Sequence, residues 1–324
     1  MPTTAPFESL HLVRARGVPP RRRYSHRVGP TVLFDALSIF FRAHHALPPM
    51  NTSRGEPTSA LYGFCSLFLK IVRERNPAGL AFAVDAPEKT FRHGRYEAYK
   101  ATRGAPPEGL YEQLERLEQF WSSLELPVYR VPGFEADDIL ATLARKLREA
   151  ELPTLVVSGD RDLLQLARGS VEVLFTGARG KEAVVYDCHK VTARFGVAPE
   201  QLPSWSALVG DPSDNLPGVP GVGPRTAAEL IRTFHDVPTL LEHMDDITNE
   251  RQRHAIEEAR DQIRLNEELS RLCDEVPLAD GPLALPLGLA AVERVENFFR
   301  ELEFKSLASR LAAIAERLRS EGGS

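Results

Sequence analysis

Aspartate recurs at the ends of apolar runs in this chain. Asp35 closes Thr31–Phe34, and Asp85 closes Leu80–Val84. Asp160 and Asp162 follow Pro153–Val157 in the run Ser158-Gly159-Asp160-Arg161-Asp162. Glu135, Asp137 and Asp138 open a helical pattern in Gly133-Phe134-Glu135-Ala136-Asp137-Asp138, and Asp211 and Asp214 stand in a Gly- and Pro-rich stretch. Capping and the helix dipole account for one or two acids at a helix start. They do not account for three, and Glu135 and Asp138 are spaced to share a face. Asp35 and Asp85 resist the capping explanation, because an acid directly after a buried strand is costly to desolvate without a partner. No basic residues systematically accompany these acids in sequence. Each acid alone is most simply structural. As a converging set they would repel one another, and a hard divalent cation such as Mg²⁺, which takes oxygen ligands and keeps several waters, is the natural counter-charge.

The elements that must position these acids read as α/β. Thr31–Phe34, Leu80–Val84, Pro127–Val131 and Pro153–Val157 are short strands. Ala60–Val72, with Leu61, Phe64, Phe68 and Ile71 on one side, Leu110–Leu124 and Ala136–Leu147 are helices. Such alternation predicts a mostly parallel central sheet flanked by helices. Functional groups in these sheets collect beyond the carboxyl ends of the strands, and three strands here end in, or just before, aspartate. After about residue 202 the chain reads as mainly helical, with Thr226–Thr233, Ala255–Leu272 and Val292–Leu318 as helices. The expected division is 1–30, 31–202 and 203–324.

Residues 1–30 carry Arg14, Arg16, Arg21, Arg22, Arg23 and Arg27 against Glu8, without a sustained period. They read first as a disordered extension, then as a basic arm on DNA or an organellar transit peptide. The closing Glu-Gly-Gly-Ser reads as a tail. No apolar run approaches a membrane span, and Cys65, Cys188 and Cys273 form no metal or disulfide spacing. The net charge of −5 does not exclude a nucleic-acid partner, because acids and bases are gathered in different places.

The bases gather at about 86–107. There Lys89, Arg92, Arg95, Lys100 and Arg103 interleave with Phe91, Tyr96 and Tyr99. Bases neutralise phosphates while aromatics stack on nucleobases; the plainer alternative is a solvated basic loop. Lys100 or an arginine could also stabilise charge on a phosphate. Further on, Asp211-Pro212-Ser213-Asp214-Asn215-Leu216-Pro217-Gly218-Val219-Pro220-Gly221-Val222-Gly223-Pro224-Arg225-Thr226 is a tight turn opening into a helix, which presents backbone N–H groups to an anion. It lacks the preceding strand and the Lys-Ser/Thr of a mononucleotide loop. A helix-hairpin-helix on a DNA backbone, reading no sequence, fits it better.

These segments together resemble the 5′-to-3′ exonuclease and flap endonuclease family, above all its bacterial members and the 5′-nuclease domain of DNA polymerase I. The resemblance runs from about Val32 to Leu311 and rests on Gly133–Asp138, Asp160-Arg161-Asp162 and Gly210–Gly223; Phe299–Leu307 adds the family's C-terminal helical look. It implies a PIN-like nuclease core with a helical arch, and two Mg²⁺ or Mn²⁺ ions. Asp35, Asp85, Glu135, Asp137 and Asp138 would surround the first ion, and Asp160, Asp162, Asp211 and Asp214 would complete the second side. Asp35, Asp137 and Asp160 would be catalytic with Lys100, which matches the family's arch lysine. Tyr99 is similar to an arch aromatic that contacts the base near the cut, with Arg92, Arg95 and Arg103 as further DNA contacts. Gly218, Gly221, Gly223, Arg225 and Thr226 would grip the duplex, with a K⁺ in the hairpin. The implied substrate is a 5′ flap, pseudo-Y or nicked duplex, cut by a cytoplasmic, nucleoid-associated monomer that works beside a DNA polymerase. Two departures stand out. Ala36 follows Asp35 where the family has Gly, and Pro224-Arg225 replaces a more usual pair. Competing classes are a flap-binding protein without catalysis, a metal-dependent ribonuclease and, least of all, a nucleotide hydrolase.

Overall fold

The computed structural model describes residues 29–102, 104, 109–177 and 182–322. The expectations for residues 1–28 and for Arg103 lie outside the described residues. Six strands, β1 (Gly29–Asp35), β2 (Pro77–Ala83), β3 (Val128–Tyr129), β4 (Thr154–Ser158), β5 (Val171–Phe175) and β6 (Val184–Tyr186), form one sheet in the order β3-β2-β1-β4-β5-β6. All neighbours are parallel except β6, which runs antiparallel to β5. The order reverses between β1 and β4, which leaves a crevice at their carboxyl ends.

Each central strand alternates between two cores, and this is why the strands read as continuous apolar runs. Val32, Phe34, Leu80, Phe82, Leu155 and Val157 face one side, while Leu33, Ala81, Ala83 and Val156 face the other. The first side is covered by α1 (Ala36–Ala46), α2 (Ser59–Arg75) and, beyond the short α3 (Phe91–Arg95), by α4 (Leu110–Leu124). Its rings interlock: Phe34 stacks on Phe82 at 5.2 Å and Phe68 meets Phe120 edge-on at 5.5 Å. The second side is covered by α5 (Ala136–Glu149), and the small Ala81 and Ala83 leave room for its close approach.

After β6 the chain is helical: α6 (Cys188–Phe195), α7 (Leu202–Val209), α8 (Pro224–Phe234), α9 (Val237–Glu242), α10 (Glu250–Glu258), α11 (Arg260–Ser270), α12 (Leu289–Glu301) and α13 (Lys305–Gly322). Helices α7, α8 and α11 extend the core beneath α5, whereas α12 and α13 return to the opposite face. Two sequence expectations are corrected here. The stretch read as one helix over Ala255–Leu272 breaks at Ala259, and Val292–Leu318 breaks at Leu302–Phe304, where Glu303 adopts φ 61°. Among the described residues no helix is long and apolar enough to cross a membrane.

Candidate active site

Strand β1 delivers Asp35 to the carboxyl edge of the sheet, where it is 3% exposed. The same residue is the N-cap of α1: its Oδ1 accepts the Ser38 N–H at 3.3 Å. Its other oxygen accepts the Ser158 hydroxyl, and Ser158 Oγ in turn accepts the Asp160 N–H at 2.8 Å. Asp85 follows β2 and accepts the Ala136 N–H at 2.8 Å, at the first turn of α5. Both strand-end acids therefore do cap helices, contrary to the sequence expectation. The partner of Asp85 lies 51 residues away, so local sequence could not show it. Ser158 was missed as well; its place directly before Gly159-Asp160 was the available signal.

The three acids at the start of α5 divide. Asp137 is half-buried beside Asp35 and Asp160. Glu135 is held by the arch: Lys100 Nζ donates to its Oε1 at 2.7 Å, and the Tyr99 hydroxyl donates to its Oε2 at 3.1 Å. Asp138 turns away. It is fully buried and takes both arms of the Arg92 guanidinium, at 2.7 and 2.8 Å. It also accepts the backbone N–H groups of Glu135 (3.1 Å) and Cys273 (2.9 Å). The expectations that Asp138 is a metal ligand and that Arg92 meets phosphate are corrected by this pair: each saturates the other inside the protein.

Tyr99 is likewise not placed for a base contact. It is 3% exposed, packs with Leu216 and Leu269, and also donates to Asp214 Oδ2 at 2.9 Å. The arch thus lies down on the Asp211–Leu216 turn, tied further by Lys100 N–H to Asp214 O (3.1 Å) and Asn215 Nδ2 to Ala98 O (2.9 Å). Lys100 adopts φ 57° there, a backbone region that side chains disfavour and that clusters at functional sites. Arg95 is exposed and grips Glu268 through two hydrogen bonds, at 2.6 and 2.7 Å.

On the second side, Asp160 and Asp162 flank Arg161 at the start of a 3₁₀ turn, Asp162–Leu166. Asp211 Oδ1 accepts the Ser213 N–H and hydroxyl at 2.8 and 2.6 Å, and its Oδ2 accepts Arg161 Nη2 at 2.8 Å. The following loop joins α7 to α8. Asn266, buried on α11 and not singled out from sequence, holds it by donating to Ala207 O (3.1 Å) and Pro217 O (2.8 Å). Gly221, Gly223 and Arg225 are exposed, Thr226 is half-buried, and Arg225 pairs with Glu229. Gly218 differs: a Cβ there would lie 2.1 Å from the carbonyl oxygen of Val209. Gly218→Ala is therefore expected to destabilise the fold by about 1–3 kcal/mol. Gly223→Ala meets open space but replaces the N-cap of α8, where Gly is preferred to Ala, and is expected to cost no more than about 1 kcal/mol, so it probes the loop's outer face with the smaller loss. Thermal melts of the two variants check this.

The charges on this edge are unbalanced. Burial, then the neighbouring Asp85 and Asp160, push Asp35 up to about 7 from 3.8. Burial with Asp160 and Asp35 pushes Asp137 well up, and burial with Asp160 and Asp211 does the same to Asp162. Asp160 is raised by burial and by Asp214. Two acids with cationic partners go the other way. Burial alone would raise Glu135, but Lys100 and Arg92 outweigh it; burial would raise Asp211, but Ser213 and Arg161 outweigh it. As the side chains stand, no three His, Cys, Asp or Glu residues among those described close on one ion. The fit is of another kind. The edge offers carboxylate oxygens that disfavour one another's charge, which suits hard divalent ions that retain part of their water shell.

The chain matches the family model for the 5′-3′ exonuclease N-terminal resolvase-like domain over residues 30–196, and that for the 5′-3′ exonuclease C-terminal SAM fold over residues 197–292. It belongs to the 5′-3′ exonuclease family. DNA polymerase I of Mycobacterium bovis is 38% identical over 288 residues, which cover 88% of this chain and 32% of that protein. The chain thus spans about a third of the length of this relative. A zinc-bound structure of T5 5′-exonuclease superposes with a TM-score of 0.62 at 20% identity, covering 88% of this chain and 99% of that one. The bacteriophage T5 D15 flap endonuclease, solved with DNA and metal ions, gives 0.59 at 18% identity over 88% and 99%. At these identities the structural likeness concerns the fold.

Proposed function

We propose that this member of the 5′-3′ exonuclease family hydrolyses DNA phosphodiester bonds at 5′ flaps, pseudo-Y junctions and nicks, with two Mg²⁺ or Mn²⁺ ions. The observation that supports the reading is the set of mutually repelling carboxyls at the β2-β1-β4 edge, on the switch point of a parallel sheet. Asp35, Asp85, Glu135 and Asp137 would hold the ion on the first side, and Asp160, Asp162, Asp211 and Asp214 the second. Bound there, such ions activate a water and stabilise an in-line transition state. Lys100 brings a positive charge to the same edge, where it can compensate charge on the phosphate. The exposed turn at Gly221–Thr226 would grip the duplex backbone, with a K⁺ at the hairpin, and a DNA polymerase is the proposed partner.

The proton and the ion compete for the same oxygens. With its folded value pushed up from 3.8 to about 7, Asp35 holds a proton below that point and loses it above. In that window the folded state binds more protons than the unfolded one, so without ions this group's contribution to stability falls as pH rises. Mg²⁺ relieves the repulsion only once the proton has left. The Mg²⁺-induced rise in melting temperature is therefore expected to be several degrees larger at about pH 8 than at about pH 5.5. Thermal melts in EDTA and in Mg²⁺ at both pH values measure it.

The deciding experiment is cleavage of a 5′-labelled flap duplex in Mg²⁺, beside an EDTA control, a blunt duplex and an RNA flap. Metal-dependent release of short 5′ products from the DNA flap is expected. Tight binding without release would favour a non-catalytic flap-binding protein, and preference for the RNA flap a ribonuclease.

A further inference from the structure

Two arginines meet carboxylates at this edge, and they do so in opposite ways. Arg92 is 1% exposed and forked onto an equally buried Asp138, a permanent pair. Arg161 is 37% exposed and touches Asp211 through a single nitrogen at 2.8 Å. The same guanidinium stands 3.9 Å from Asp162, and Asp160 adds further negative charge around it. A monodentate, partly solvated arginine can leave its partner for water at little cost, whereas a bidentate buried one cannot.

Its position is also occupied ground. Asp211 Oδ1 is taken by Ser213, so Oδ2 is the oxygen left to face an ion, and Arg161 holds it. We infer that Arg161 is a placeholder cation: it neutralises Asp211 while the second side is empty, and the second divalent ion must displace it. This rests on the two-ion reading above and adds an order to it. On the first side Glu135 is engaged by Lys100 at 2.7 Å, while Asp35 and Asp137 accept no hydrogen bond from an arginine or lysine among the described residues, so that side keeps more oxygens open and fills first. The second side fills at higher ion concentration because both Asp211 oxygens are already taken there, one by Ser213 and one by Arg161, which the ion must evict. The device keeps the Asp160–Asp162–Asp211 cluster from repelling itself apart in the ion-free protein, and it makes the complete two-ion site conditional on ion supply.

The test is calorimetric titration of Mg²⁺ into the intact wild-type chain, Arg161→Gln and Arg161→Lys, with circular dichroism to confirm that each is folded. Two binding steps are expected in the wild type. In Arg161→Gln the weaker step tightens by about tenfold, less than the roughly thousandfold of a fully buried charge because solvent screens this guanidinium. Arg161→Lys, which keeps the charge, stays close to wild type. A double-mutant cycle adds a second criterion: in an Asp211→Asn background Arg161→Gln should no longer shift the second step. If the weaker step is unchanged or weakened in Arg161→Gln, the arginine is a strut for the Asp211 turn and the inference is overturned. If the wild type shows no Mg²⁺ binding at all, the two-ion reading itself falls, and the placeholder with it.

Discussion

Asp137→Ala is expected to reduce flap cleavage by about 10³-fold or more, the scale of losing a principal electrostatic contributor to a transition state, while flap binding survives. Asp137 sits at the junction of both halves of the site, beside Asp35, Asp160 and Glu135. Among the described residues its carboxylate makes no hydrogen bond that holds α5, unlike that of Asp138. Removing it leaves the Gly-rich turn and the arch untouched. The variant should also be more stable than the wild type in EDTA, because one of several like charges in a buried cluster has gone. Its stabilisation by Mg²⁺ should shrink correspondingly. Gained ion-free stability together with lost cleavage separates an ion-holding residue from a fold-holding one. Asp160→Ala is expected to behave alike, and the double variant to lose little more than either alone, since ligands of one site act as a unit. Cleavage, filter binding and melting curves with and without Mg²⁺ measure all three effects. Undiminished cleavage by Asp137→Ala would sink the assignment of this edge as the catalytic one.

The parts of this architecture legible in the sequence are those carried by local pattern. Parallel strands buried on both faces produce unbroken apolar runs, so β1, β2 and β4 and the acids after them stand out. Helix α5 announces itself through Glu135-Ala136-Asp137-Asp138 and the apolar spacing behind it. What depended on distant partners was not legible. Helix α1 follows β1 with no intervening turn, Asp35 serving as both last strand residue and cap, so the usual punctuation is missing. The strand β5, Val-Glu-Val-Leu-Phe, is as long as β4 but is interrupted by the exposed Glu172, and the edge strand β6 has only three residues. The breaks at Ala259 and Glu303 carry neither Gly nor Pro. In the arch, Arg92 and Lys100 look equivalent in sequence, as bases among aromatics. Only the fold separates the one buried on Asp138, 46 residues away, from the one at the rim on Glu135. The observation that three acids exceed the needs of a helix start was sound, but the third answers to an arginine rather than to an ion.

That pair yields the largest stability effect expected of a single substitution. Arg92→Leu should cost about 3–5 kcal/mol, because it leaves the Asp138 carboxylate charged, buried and uncompensated. It also removes the hydrogen bonds from Arg92 to the carbonyl oxygens of Leu269 (2.9 Å) and Arg271 (3.1 Å), which tie the arch to the end of α11. For a chain of 324 residues the loss corresponds to a fall in melting temperature of about 4–7 °C. Arg92→Lys should rescue little of it, since an ammonium cannot fork onto both carboxylate oxygens. Replacing both partners by apolar residues, Arg92→Met with Asp138→Leu, should recover much of the loss, because the pair's net worth is far smaller than the cost of breaking it. The alternative role, a phosphate contact, makes a different prediction: the slope of log affinity for DNA against log salt would fall by about one unit in Arg92→Leu and stay unchanged in Arg92→Lys, which keeps the charge. Urea unfolding and salt-dependent binding, both run below the melting point, distinguish the two. An unchanged midpoint with a shallower salt slope would return Arg92 to the DNA surface; a lost midpoint with the slope intact keeps it where the structure puts it, as the internal post on which the arch is hung.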